Sequence, residues 1–277
     1  QSDLFAAAYA SHGDTKHILL FPSTPTECFD MTAMSFDLAE RFQTPVIIMT
    51  DLDLGMNDHL CYPFKWDDSR RFDRGTVLTA EALDQLNDFG RHLDVDGDGV
   101  TYRTLPGTHP DKGAFFTRGS SKDEFARYTE DGQAYVRNMK RLEKKWDTIK
   151  SNVPTSDISL DPDFNKAILY FGTTIYSAEE ALDILKEHDL HYNWIRIKSF
   201  PFGPEVIDFI NRHEEIFVIE QNRDAQMRSL LINELEVAPS KLKKVLNYDG
   251  MAITAEQISM SIKEATIFMD HSTPEMF

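Results

Sequence analysis

A short run of β-type apolar residues followed at once by a helix start recurs along this chain, and that alternation restricts it to folds built on parallel sheets. The first instance is His17-Ile-Leu-Leu-Phe21, a buried strand by its pattern, followed by Thr24-Pro25-Thr26-Glu27, a capping box with proline at the first helical position. Phe29, Ala33 and Phe36 then recur at i, i+4 and i+7 and mark one buried helix face, and Pro45-Val-Ile-Ile-Met-Thr50 reads as the next strand. The alternation stops at residue 51 and resumes with strand 166–171. A capping box at Ser177 and Glu180 predicts a helix to His188, and strand 192–197 and a helix begun by Pro204 and ending near Arg212 follow. Strand 216–220, helix 224–234, strand 243–246 and a last helix capped by Thr254 and Gln257 complete the pattern. Four strands alternating with four helices predict an α/β chain whose second part is an open, mostly parallel sheet covered on both faces. Ligands of such sheets lie at the carboxyl ends of the strands.

Residues 51–150 break the rhythm. Asp, Gly, Pro and Arg are frequent there, and only 79–89 and 130–150 read as helical. A long connection of this kind is expected to wrap a scaffold or cover a partner. Asn152-Val-Pro-Thr-Ser-Asp157 is the expected linker, which divides the chain into an α/β unit at 1–60, an irregular connecting segment with helices at 61–155, and a second sheet domain at 156–277.

Composition narrows the function classes. With 46 acidic against 29 basic residues the formal charge is -17, which disfavours nucleic acid and anionic membranes as partners. The longest apolar runs, Ile18–Phe21 and Val46–Met49, are far shorter than a bilayer span. Two cysteines, Cys28 and Cys61, cannot by themselves hold an all-cysteine zinc site or an iron-sulfur cluster, and such sparse usage fits a reducing cytoplasm. The first residue is Gln1 and the opening segment already has a helical pattern, so a longer chain with further sequence upstream is expected.

Three places carry residues suited to chemistry. Asp94, Asp96 and Asp98 alternate before Gly99, as in loops that present hard oxygens to calcium or magnesium, with the Val100 carbonyl as a further ligand. The twelfth position of a complete EF-hand loop is Leu105 here instead of Glu, so a solvated acidic turn is the competing reading. Ser11-His12-Gly13-Asp14 sets an imidazole beside a carboxylate just before the first strand, as a substrate-orienting or proton-shuttling pair or as a plain turn. Asp51 and Asp53 directly follow the second strand, where a ligand-facing role competes with helix capping. No GxGxxG, P-loop, HExxH or GxSxG pattern occurs.

Five segments carry a resemblance to one family. They are Ser11-His-Gly-Asp14, Thr44-Pro-Val-Ile-Ile-Met-Thr-Asp51-Leu-Asp-Leu-Gly55, Asp96-Gly-Asp-Gly-Val-Thr-Tyr-Arg103-Thr-Leu-Pro-Gly107, Glu220-Gln-Asn-Arg-Asp-Ala-Gln226-Met-Arg-Ser-Leu230 and Asn247-Tyr-Asp-Gly250-Met-Ala-Ile-Thr254. Together they resemble the alpha subunit of 2-oxoacid:ferredoxin oxidoreductases, with the 2-oxoglutarate type most similar. The resemblance implies that 1–60 is the C-terminal part of a thiamine-pyrimidine-type domain and that 156–277 is similar to the transketolase C-terminal module. It also implies that the family's gamma domain and principal catalytic residues precede Gln1. The activity it implies is oxidative decarboxylation of a 2-oxoacid with CoA to an acyl-CoA and reduced ferredoxin. Thiamine diphosphate with magnesium and an iron-sulfur cluster would be carried mainly by a partner beta subunit. The competing class is a noncatalytic α/β assembly or binding module with an acidic cation-binding loop.

Overall fold

The structure, a computed structural model, describes residues 1–117 and 121–270. Helix α1 (Leu4–Tyr9) buries Leu4 and Ala8 and leads through an exposed turn into β1 (Ile18–Leu20). Helix α2 (Pro25–Phe42) starts where the capping box places it, with the Thr24 hydroxyl accepting from the Glu27 amide. It ends at Gln43, whose left-handed conformation turns the chain into β2 (Val46–Ile48). β1 and β2 pair in parallel.

The connecting segment holds only α3 (Leu52–Met56), α4 (Ala80–Asp84) and the long α5 (Gly132–Lys150). The helix expected over 79–89 is confined to its first turns. Past Asp84 the chain folds back, with Leu86 bonding to the Leu83 carbonyl and the Asp88 carboxylate taking the Phe89 amide, so the side chain competes with helical bonding.

The second sheet comprises β3 (Asp157–Ser159), β4 (Lys166–Phe171), β5 (Asn193–Ile197), β7 (Glu215–Glu220) and β8 (Leu242–Leu246), in the order β3-β5-β4-β7-β8. All neighbours are parallel except β3 on β5. Helices α6 (Thr174–Lys186), α7 (Pro204–Arg212), α8 (Gln226–Leu235) and α9 (Ala255–Asp270) supply the crossovers and covers. Helix α6 opens three residues before the expected capping box, because the Ser177 hydroxyl is spent on the Ile253 carbonyl. The expected linker is pinned: Val153 is buried, the Ser156 amide donates to Glu205, and Asp157 already belongs to β3. Ser199–Phe200 form β6, a two-residue strand antiparallel to β1, so the small sheet runs β2-β1-β6 and draws its last strand from the far end of the chain.

The alternation along β4 sorts the core. Ala167, Leu169 and Phe171 face α7 and α8 and share one apolar cluster with Leu4 of α1, Leu19 of β1 and Phe21 just beyond it. Ile168 and Tyr170 face the other way, under α6 and α9, with Phe217 and Ile219. The two sheets therefore share a continuous core, and their strand ends meet.

Candidate functional site

Where those ends meet, a cleft of about 1000 Å³ opens beyond the carboxyl ends of β2, β7 and β8. One wall is α3; the other is made by the loops after β7 and β8. This is the position that open parallel sheets give their ligands.

Asp51 stands at the seam. Its Oδ2 accepts from the Thr173 hydroxyl at 2.6 Å, the Thr173 amide at 3.2 Å and the Gln1 side-chain amide at 3.4 Å. Its Oδ1 caps α3 through the Leu54 amide at 3.0 Å. The carboxylate is thus consumed in joining the β2 end to the turn between β4 and α6. Asp53 lies beside it, half-buried in the first turn of α3, and borders the cleft.

Across the cleft the fully buried Glu220 carboxylate organises the other wall. It accepts from the amides of Met227 and Arg228 at the start of α8, and from the Asn222 side chain at 2.7 Å. Burial pushes its pKa up, against the opposing pull of those donors. Gln226, held by the Phe5 amide and the Ser2 carbonyl, fixes the same loop to the chain start. Leu52, Tyr248 and Met251 present exposed apolar surface to the cleft, and Arg223 is ion-paired with Asp224 at 2.8 Å. The arrangement offers apolar contact area edged by amides and one arginine, and its carboxylates are largely engaged. It is built to bind and orient.

His12, Gly13 and Asp14 lie elsewhere, in the exposed turn before β1. Asp14 borders a second cavity, of about 680 Å³, between that turn and α5, while the His12 carbonyl accepts from the Thr15 hydroxyl. The structure does not gather these residues with Asp51 and Asp53.

In the acidic loop each carboxylate takes a local donor. Asp94 accepts from the Gly97 amide, Asp98 from the Val100 amide and Asp96 from the Tyr102 hydroxyl. Among the described residues, no group of three or more His, Cys, Asp or Glu side chains is placed to hold a metal ion. The cleft residues that sequence reasoning did not single out as candidates are Glu220, Asn222, Arg223, Gln226, Tyr248 and Met251. Their signal was position: Glu220 ends the parallel strand β7, and the others follow the ends of β7 and β8.

The comparisons bear on this geometry. A family model described as pyruvate flavodoxin/ferredoxin oxidoreductase, thiamine diP-bdg, matches residues 1–70. A 2-oxoacid:ferredoxin oxidoreductase alpha subunit of Aeropyrum pernix is 25% identical over 269 residues, covering 95% of this chain and 40% of the relative. The chain is similar to 2-oxoacid:ferredoxin oxidoreductase alpha subunits. The 2-oxoglutarate synthase subunit KorA of Methanothermobacter thermautotrophicus is 27% identical over 228 residues, covering 80% of this chain and 57% of the relative. The 2-oxoglutarate:ferredoxin oxidoreductase of Magnetococcus marinus superposes with a TM-score of 0.80 at 20% identity, over 95% of this chain and 45% of that one. That likeness shows the mixed α/β fold expected from sequence. The chain spans between two fifths and three fifths of the alpha-subunit relatives named here. Among the described residues, no helix is long and apolar enough to cross a membrane.

Proposed function

We propose that this chain serves as part of the alpha subunit of an enzyme that oxidatively decarboxylates a 2-oxoacid, 2-oxoglutarate foremost, with CoA as acyl acceptor and ferredoxin as electron acceptor. The observation that carries this reading is the alpha-subunit likeness along 95% of the chain. Thiamine diphosphate supplies the carbanion chemistry of such enzymes, and iron-sulfur clusters carry the electrons. The described residues here do not fit the cofactor's magnesium, since no carboxylate or imidazole cluster is placed to ligate it. Two cysteines, Cys28 and Cys61, do not make up the four thiolates a cluster takes. Both groups belong mainly to a partner beta subunit.

What this chain contributes is a shaped, fixed wall. Asp51 and Glu220 hold the two sides of the cleft in register, and Leu52, Tyr248, Met251 and Arg223 present the contact surface. A ligand with an apolar body and an anionic group suits that surface.

The test is an assay of the protein purified together with the subunit it binds. Reduction of ferredoxin that requires both 2-oxoglutarate and CoA is the expected result. An assembly that reduces ferredoxin with no 2-oxoacid tested would overturn the reading, and turnover of pyruvate in preference to 2-oxoglutarate would overturn the substrate assignment.

A further inference from the structure

Three cations of this acidic protein are gathered where α5 crosses the chain before β2, and among the described residues none of their hydrogen bonds ends on a carboxylate. Lys145 Nζ donates to the Phe42 carbonyl at 3.0 Å and the Thr44 hydroxyl at 2.6 Å. Arg141, one turn earlier on the same helix face, donates to the Gly99 carbonyl, and its Nε is buried with no hydrogen-bond partner among the described residues. Arg91 reaches in from the loop after α4, bonding to the Thr101 hydroxyl and the Gln43 side-chain carbonyl. All three are largely out of water, and burial lowers the pKa of each; Arg91 lowers that of Arg141 further, and both arginines lower that of Lys145. His92 beside them is driven down to about 4 by burial and by these neighbours. Asp94, turned toward Lys144 at 3.8 Å, supplies the opposing field at Arg141. Charges left in this condition favour any chemistry that places an anion among them.

Lys145 also lines the 680 Å³ cavity bordered by Asp14, Lys16, Glu143 and Trp146, so small solutes have a path to it. We propose that Lys145 is a carbon dioxide site, where Nζ forms a carbamate that Arg141 and Arg91 stabilise.

The chemistry balances without a further reactant. The nitrogen lone pair attacks the carbon of carbon dioxide, a C=O π pair moves onto oxygen, and the nitrogen loses one proton to water. The product is a carbamate anion, with one N–H left to donate to the Phe42 carbonyl and two oxygens to accept from the Thr44 hydroxyl and the arginines. Only a neutral amine can react. Burial, then Arg141 and Arg91, bring Lys145 to about 8, so a substantial neutral fraction exists near neutral pH. The site stands apart from the cleft and does not depend on the function proposed for it.

The test is trapping. The purified protein is equilibrated with bicarbonate near pH 8, alkylated with triethyloxonium to fix carbamates as esters, and digested for mass spectrometry. The expected result is an ethyl carbamate at Lys145 in roughly hundredfold excess over exposed lysines, the ratio of neutral fractions between an amine near 8 and an ordinary one. A carbamate resonance in the carbon-13 spectrum with labelled bicarbonate should accompany it and vanish in Lys145→Arg. Arg141→Gln should lower occupancy several-fold more than it lowers the reactivity of Lys145 toward a neutral acylating reagent, which reads the neutral fraction alone. No adduct at Lys145, or one no more frequent than on exposed lysines, overturns the proposal in the unsubstituted protein, whatever the variants do. An adduct undiminished in Arg141→Gln overturns the part given to that guanidinium.

Discussion

Arg196 is 4% exposed, and its guanidinium donates to Glu27, Asp157 and the Ser23 hydroxyl, so one β5 side chain joins the start of α2 to the edge strand β3. Burial raises the Glu27 pKa, but the Arg196 hydrogen bonds, the Ser23 amide and the nearby Lys198 outweigh it and hold the carboxyl at about 2. A folded value below the unfolded one contributes stability above about pH 4.3, lost as pH falls toward 2. Arg196→Met strands both carboxylates and should cost roughly 2–3 kcal/mol in urea unfolding, below the usual penalty because Asp157 is partly in water. It should also flatten the acid limb over that window. An unchanged midpoint and acid limb would show the network to be solvated. Sequence spacing identified Glu27 as a capping-box residue, and the Thr24 half of that box is present. Its own carboxylate instead serves Ser23 and Arg196, a pairing 169 residues away in the chain that no local pattern reveals. Asp51 repeats the lesson. Its place at a strand end was legible, and the donors that consume it were not, since Thr173 comes from the other sheet.

Elements whose punctuating residues are used as caps or at a proline start were legible nearly to the residue, whereas α6, whose Ser177 is spent elsewhere, was not. Helix α7 begins at Pro204 and ends at Arg212 as expected, and α9 begins after a complete Thr254–Gln257 capping box. β3 and β6 escaped because three and two residues carry no period, and only their partners make them strands. Helix α5 shows how an element is seated by a loop. Gly99 has φ +79, and a Cβ there would collide with the Lys145 backbone nitrogen and the Arg141 carbonyl. Gly99→Ala should therefore destabilise by about 2–4 kcal/mol, combining the left-handed backbone with overpacking, and would lower the thermal midpoint. Lys145 on the same helix has a folded pKa of about 8, below the ordinary 10.4. The folded state bears the cost of a buried charge below pH 8 and sheds it as pH rises, so this group makes stability climb between about pH 8 and 10.4, by up to roughly 3 kcal/mol. In carbonate-free buffer the midpoint of the protein should rise over that range relative to Lys145→Met. A constant difference would mean that the amine is hydrated.

At the scale of the molecule, order is unequally distributed. The two sheets share a core in which β4 and β7 are almost wholly buried, whereas residues 57–76 lie across α2 with little backbone bonding beyond the local turns at His59 and Arg70. Side chains hold that segment: Phe64 stacks on Phe29 at 5.0 Å, Phe72 meets Phe36 edge-on, and Arg70 and Asp73 pair with Asp37 and Arg41. Leu60 and Tyr62 of the same segment stand in water at 102% and 91% exposure. Exposed apolar side chains of this kind are what a protein contact buries, so under the proposed function this segment is expected to meet the partner subunit. Few buried contacts and exposed amides mean a low free energy of local opening, so hydrogen exchange of the protein alone should be fast across 57–76 and slow in β4 and β7. Adding the partner subunit should slow the first region by at least tenfold and leave the strands unchanged, because their protection already reports the shared core. Protection of 57–76 equal to that of β4 without any partner would show the segment to be self-sufficient and would remove the reason for placing a contact there. Exchange that stays fast once the complex has formed would move the contact to another face.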